Sequence, residues 1–211
     1  MASAPTSYTE LLDPAGAEPT TGRILDAALE LFAEVGVSRT GIDDIARRAK
    51  MNRATVYRRV GAKDAIVRAA VLRETSRILD RIAARLRAVD DPHRRIVDGF
   101  AITVTELRAN PILRKILAVD REHTLAAITV DAAESLSLAT DFVAREILAV
   151  RAVDVGGDAV GTTAALIVRL IHSVVLVPEA PPHMQTETAL REFAADYLVP
   201  LIRPAGPETP H

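Results

Sequence analysis

The stretch IDDIARRAKMNRATVYRRV, Ile42 to Val60, decides the fold. Ile42, Ile45, Ala46 and Ala49 recur at helical spacing and make one apolar face. Lys50, Met51 and Asn52 interrupt it, and Asn52 is a good N-cap for a second helix from Arg53 to about Val60. Gly61 stops that helix. The pattern is two short helices on a tight turn, with Ile42, Ile45, Ala46, Met51, Val56 and Val60 as their shared core. The same region is strongly basic. Between Arg47 and Lys63 stand seven basic residues (Arg47, Arg48, Lys50, Arg53, Arg58, Arg59, Lys63) and no acidic one, although the whole chain has a formal net charge of −2. A positive stripe on a helix-turn-helix is the electrostatic footprint of a duplex-DNA reader.

Working outward, a helix is expected from about Arg23 to Val35, with Ile24, Ala27, Ala28, Leu31, Phe32 and Val35 on one stripe and Gly36 as its C-cap. A long helix restarts near Lys63 and continues past Leu86. Asp90, Asp91 and Pro92 break the pattern before a helix from about His93 to Arg108. Asn110 and Pro111 punctuate again, with Pro111 suited to the first position of a short helix over Ile112 to Val119. The stretch from Arg121 to Val150 is helical, with a kink or loop allowed at the β-branched Ile128, Thr129 and Val130. Helices over Asp158 to Val177 and Thr186 to Ile202 close the chain, separated by the loop PEAPPHMQ, and Pro200 is expected to bend or end the last. No alternating strand pattern, repeat or Gly-rich phosphate loop interrupts this series. The expected fold class is all-α: a three-helix helix-turn-helix DNA-binding domain plus a larger helical domain for ligand binding and dimerisation. The expected division is an N-terminal arm over 1–20, the DNA-binding domain over 21–66, the helical domain over 67–205 and a tail over 206–211.

Composition narrows the chemistry. Of 211 residues 49% are hydrophobic and 26% charged, ordinary for a globular protein, and the chain has no cysteine. That excludes disulfides, thiolate metal sites and cysteine nucleophiles. The first residues lack the basic start and apolar core of a secretory signal. The most apolar later stretch, Ala164 to Val177, is broken by Arg169 and His172 and reads as too short for a bilayer span. The expectation is a soluble cytoplasmic protein with no membrane partner. His93, His123, His172, His183 and His211 lack the close spacing of a metal site, so neither metal nor cofactor is expected.

On the helix-turn-helix, Arg53, Ala54, Thr55, Arg58 and Arg59 are placed to face DNA. Arg53 is the first choice for a base contact, because a guanidinium pairs bidentately with guanine O6 and N7. Thr55 suits a thymine methyl or a phosphate, and Tyr57, Arg58, Arg59 and Lys63 suit phosphates. Lys63 also lies at a helix amino terminus, which favours anions. Arg47 and Arg48 read as a solvated helical face.

The span from Ile24 to Leu72, about a quarter of the chain, resembles the DNA-binding domain of the TetR (tetracycline-repressor-type) family. The resemblance rests on AALELFAEVG in the first helix, IDDIARRA in the second, TVYRRV in the recognition segment and AKDAI opening the fourth. It implies a DNA-binding head on a helical body that dimerises through its last two helices and holds a small-molecule pocket. Four positions depart from the family pattern. Gly41 stands where a hydroxyl residue usually caps the second helix and meets a phosphate, and Thr40 is the substitute. Lys50 replaces the common turn glycine and is expected in a left-handed conformation. Arg59 and Val60 replace an aromatic pair, leaving a charge for phosphate and an apolar anchor. Asn52 completes the DNA-binding set through its cap.

In the body, Val160, Ala164, Ile167, Val168, Ile171 and Val175 on one helix, and the stripe Leu190, Phe193, Ala194, Tyr197, Leu198 and Leu201 on the other, carry more apolar surface than a monomer needs. Burial within the monomer is the simple alternative; the family resemblance implies instead a homodimer through helices 158–177 and 186–202, and with it a palindromic double-stranded operator. Phe100, Thr103, Leu107, His123, Phe142, Arg145, Arg169 and His172 are the candidates to line a pocket for an unidentified apolar or amphipathic effector. Arg169 and His172 interrupt an apolar helix and need a partner, either a ligand or an ordinary salt bridge or carbonyl. The functional expectation is a homodimeric repressor released from its operator by a small molecule. The alternative is an architectural or nonspecific DNA binder without ligand control, which the overall acidity and large apolar body oppose. An enzyme is not expected: Asp120, Glu122, Asp131 and Glu134 read as surface salt bridges, and no nucleophile–base pair accompanies them.

Overall fold

A computed structural model describes residues 19–119, 126, 128–150 and 157–202. It is helical, with no strand among the described residues. The helices are α1 (Pro19–Val35), α2 (Ile42–Arg48), α3 (Arg53–Arg59), α4 (Lys63–Leu86), α5 (Pro92–Ala109), α6 (Pro111–Val119), α7 (Ala133–Val150), α8 (Gly157–Leu176) and α9 (Glu187–Phe193). A π-helical segment, Ala194–Leu198, follows α9 and leads into α10 (Val199–Ile202). The chain divides into two compact units: the described residues of Met1–Asp80 with Ala109–Ser135, and those of Arg81–Arg108 with Leu136–His211. Helix α4 passes from the first to the second at Asp80.

The first unit is built around α1. Its stripe Ile24, Ala28, Leu31 and Phe32 is buried and joins Ile45, Val56 and Ile66 in one core. The helix begins at Pro19, four residues before the expected start, so Pro19 and Thr20 belong to it and not to an arm. Proline suits a first helical turn because its missing N–H would have no partner there. The rest of the expected arm, and the tail at 206–211, lie outside the described residues. Helix α6 belongs here too, since Ile112 and Ile116 bury into the same core and α6 packs on α1. The division by packing thus differs from a cut after residue 66. Asn110, itself buried, caps α6: its Oδ1 accepts from the Ile112 and Leu113 N–H groups, both at 3.0 Å, and its Nδ2 donates to Glu74 at 2.8 Å. Asp26 on α1 accepts from Arg73 at 2.9 Å and from Arg77 on α4. Burial pushes the Asp26 carboxyl up, but the two guanidiniums outweigh it and hold the group below the ordinary value. The β-branched run at 128–130 does break the helix, in a turn where Thr129 and Asp131 N–H groups return to Ala126.

The second unit gathers the end of α4, α5, most of α7, and α8 to α10. Arg108 ties it together, donating to the carbonyls of Met184 at 2.7 Å and Val174 at 3.3 Å. The apolar face of α8 (Val160, Ala164, Ile167, Val168, Ile171, Val175) is buried within this unit. The surplus surface expected there is consumed by the monomer, because helices α5, α7 and α10 leave a core that needs it. Helix α8 is nevertheless long and apolar enough, from Ala159 to Leu176, to cross a membrane by length and composition, contrary to the reading of this stretch as too short. The six core-facing residues show how that apolarity is used.

The last helix also differs from its expected stripe. Leu190, Ala194, Leu198 and Ile202 are buried, whereas Tyr197 is 64% and Leu201 45% exposed. Steps of four residues overshoot the 3.6-residue turn of an α-helix, and the wider π turn absorbs the overshoot. The Val199 N–H accordingly bonds the Ala194 carbonyl, five residues back. Pro200, which has no N–H to offer, sits directly after this wide turn and neither ends nor breaks the helix.

Candidate nucleic-acid interface and ligand cleft

Helix α2 opens at Gly41, whose N–H donates to Asp44 Oδ2 at 3.0 Å, the return half of a capping box. Glycine has no side chain to make the other half, which a hydroxyl residue would make by accepting from the Asp44 N–H. It closes with a Schellman motif: Met51 N–H bonds Ala46 O at 2.9 Å and Lys50 N–H bonds Arg47 O at 3.1 Å. Lys50 takes φ 56°, the left-handed conformation expected for it. Asn52 then caps α3, its Oδ1 accepting from Thr55 N–H at 2.7 Å. Replacing Lys50 with glycine relieves the left-handed Cβ crowding and is expected to raise the stability of the first unit by about 1 kcal/mol in denaturant titration. A loss of stability in Lys50→Gly would show that the lysine side chain contributes more than its backbone costs.

The turn presents one face of α3 to solvent. Arg53, Ala54, Tyr57, Arg58 and Arg59 are exposed, Thr55 and Lys63 half-buried, and Val56 turns inward as the anchor. Val60 also packs on the core, keeping the apolar role read from its sequence position. Thr40 is different. It is 1% exposed, and its hydroxyl donates to Gly36 O at 2.7 Å. It serves the turn after α1, and it is too deep to substitute for a surface phosphate contact.

Several of the basic residues carry acidic partners from their own unit. Arg48 reaches back to α1 and pairs with Glu34 at 2.7 Å and Glu30 at 3.1 Å. Glu34 drives the Arg48 guanidinium upward, and Arg48 in turn lowers the Glu34 carboxyl. Arg47 pairs with Asp44, and Lys63 donates to Ser38 O at 3.1 Å. Arg53 lies 5.5 Å from the Tyr57 ring centroid and pairs with Asp43 at 2.9 Å. Both raise its already high basicity, Tyr57 more than Asp43. Asp43 is the residue that sequence reasoning missed. Ten positions separate it from Arg53, and only the crossing of α2 and α3 brings them together.

The second unit contains an open-sided cleft walled by Leu86, Ile96, Phe142, Ile147 and Ile171. Of the residues expected in a pocket, Phe100, Thr103 and Phe142 line it. Leu107, Arg145, Arg169 and His172 do not; Arg169 is exposed, and the other three are half-buried elsewhere in the unit. His123 lies outside the described residues. The cleft's polar lining comes instead from Arg95, Glu146 and Thr103, of which only Thr103 was anticipated.

A capped helix-turn-helix with an exposed, cation-bearing second helix defines a DNA-binding protein of the major-groove type. Residues 24–70 match the bacterial regulatory proteins of the tetR family, and residues 91–195 match the C-terminal domain of bacterial tetracyclin repressors. The chain belongs to the tetR family and is a DNA-binding transcriptional regulator, not an enzyme. It is 28% identical over 201 residues to the uncharacterized HTH-type transcriptional regulator Rv1255c of Mycobacterium tuberculosis, covering 94% of this chain and 93% of that one. It is also 41% identical over 73 residues, 35% of each chain, to the HTH-type transcriptional repressor Rv3405c of the same organism. In fold it is similar to the TetR family repressor AlkX from Dietzia sp., with a TM-score of 0.68 at 21% identity over 89% of this chain and all of that one. Proteins of this family bind DNA operators, form dimers and respond to small molecules.

Proposed function

We propose that this regulator is a homodimeric repressor that reads a palindromic operator through Arg53 and is released when an apolar or amphipathic molecule occupies the cleft of the second unit. The observation that carries the reading is the exposed face of α3, where Arg53 stands at the first helical position with Ala54, Tyr57, Arg58 and Arg59 beside it. Arg53 serves as the base reader. Tyr57, Arg58, Arg59 and Lys63 position the backbone, Thr55 contacts a methyl or phosphate, and Gly41 and Asn52 hold the ends of the two helices against the duplex. Release is a population shift: an effector that prefers the conformation with wrongly spaced reading heads lowers operator affinity by its differential binding energy.

Selection of bound sites from a random duplex library at near-physiological salt tests this, with Arg53→Ala in parallel. One enriched palindrome, with discrimination relaxed by about 1–3 kcal/mol at one base pair per half-site in the variant, is the expected result. Equal, salt-limited binding by both proteins with no enriched motif would instead support the architectural alternative.

The dimer is assigned to the outer faces of α8 and the α9–α10 helix. Support comes from Leu166, 56% exposed, together with Tyr197 and Leu201, which are large apolar side chains left on the surface of the monomer. Leu166→Glu with Tyr197→Glu places unpaired carboxylates in that contact, at a cost of several kcal/mol per buried charge. Light scattering is expected to report a monomer, with operator affinity falling in step. A dimer of undiminished stability would move the interface elsewhere.

A further inference from the structure

We propose that the cleft selects apolar molecules that carry a hydrogen-bond donor, such as an alcohol, a phenol or an amine, and rejects carboxylates. This rests on the reading of the cleft as the effector site. The one cation in the lining is already occupied. Arg95 donates through Nε to Glu146 Oε2 at 2.9 Å, and its Nη2 lies 2.8 Å from the same oxygen in the ion pair. Its Nη1 donates to the carbonyls of Leu86 at 3.1 Å and Val89 at 3.3 Å. Three of its five N–H groups are therefore spent on the protein itself, and its charge is paired with Glu146.

The other polar side chains of the lining accept. Glu146 Oε1 takes no hydrogen bond among the described residues, and the side chain is 26% exposed. Thr103 Oγ1 donates to Gly99 O at 2.7 Å, so its remaining capacity is as an acceptor. The surrounding wall of Phe100, Phe142, Ile147 and Ile167 offers no polar group. An incoming carboxylate would face Glu146 as a like charge and lose its water beside an arginine whose charge Glu146 already neutralises. An incoming hydroxyl or ammonium meets Glu146 Oε1 or Thr103 Oγ1 directly. The Arg95–Glu146 pair, which in the sequence are only two charges fifty-one residues apart, thus sets the sign of the ligand.

A matched series isolates the head group: 1-decanol, decylamine and decanoate at pH 7, titrated calorimetrically into the full chain, then added to the complex with the operator recovered by site selection. The alcohol and the amine are expected to bind at least about tenfold more tightly than decanoate, the scale of one satisfied against one opposed polar contact. Glu146→Gln should erase the amine's advantage and admit decanoate. Thr103→Val, which deletes the other acceptor without touching the ion pair, should weaken the alcohol alone. Decanoate binding as tightly as the alcohol overturns the proposal, and so does the absence of binding by all three. If the preference is as expected but no DNA is released, the ligand chemistry stands and the effector reading fails.

Discussion

Phe32→Ala is expected to unfold the first unit's DNA-reading apparatus at temperatures where the parent chain is native. Phe32 is 1% exposed and sits in the core that also holds Ile45 of α2 and Val56 of α3. Neither short helix has the length to persist alone, since helices under about 12 residues are marginal in water. Both depend on that core for their angle. Truncating a buried phenylalanine removes its transfer free energy and leaves a cavity, together about 3–5 kcal/mol. That is a large part of the 5–15 kcal/mol by which domains are stable. Circular dichroism should show a lower midpoint, and fluorescence anisotropy should show operator binding lost with it. Val35→Ala, on the same helix but 39% exposed, is the control and should stay within about 0.5 kcal/mol. Equal effects from the two would mean that the head does not depend on this core.

The second large effect is an asymmetry across one ion pair. Asp98 of α5 is 9% exposed and accepts a hydrogen bond from Arg191 of α9, which also reaches Glu187 at 2.6 Å. Arg191→Ala strands a buried carboxylate. Removing one partner of a buried pair costs about 3–5 kcal/mol, and the 39% exposure of the Arg191 side chain puts the expectation nearer the lower end. Asp98→Ala should cost less, because Arg191 keeps Glu187 and solvent. The double variant should recover part of the Arg191→Ala loss, since the stranded charge is then gone. Thermal unfolding of the three variants decides the matter: equal single losses with no recovery would mean that the pair is no more than a surface contact.

The helix-turn-helix was legible because its signals are local. Asn52 caps the residue three places on, Lys50 takes its strained conformation within one turn, and the stripe of α1 repeats within a single helix. The acids that manage the cations were not legible. Asp43 with Arg53, Glu34 with Arg48 and Glu146 with Arg95 meet across helix crossings, and no spacing in the sequence encodes a crossing angle. The same limit explains the pocket candidates. Arg169 and His172 stand out in an apolar helix, but which side of α8 faces the cleft is set by its neighbours, and Ile167 and Ile171 take that side. Thr40 was misread because a hydroxyl beside a helix start looks alike whether it points to solvent or back to Gly36.

The π turn at Ala194–Leu198 gives the carboxyl-terminal helix an arithmetic of its own. A π turn is in effect an α-helix holding one residue more than its backbone ladder needs. Leu190, Ala194, Leu198 and Ile202 stand four apart throughout, and the π turn is what lets all four face inward. Deleting one position between Ala194 and Leu198 would remove the surplus and the wide turn together, leaving the four-and-three spacing that a plain α-helix buries. A further insertion has no such outlet and would turn every later side chain out of the core. For this segment shortening by one residue should be tolerated where lengthening is not.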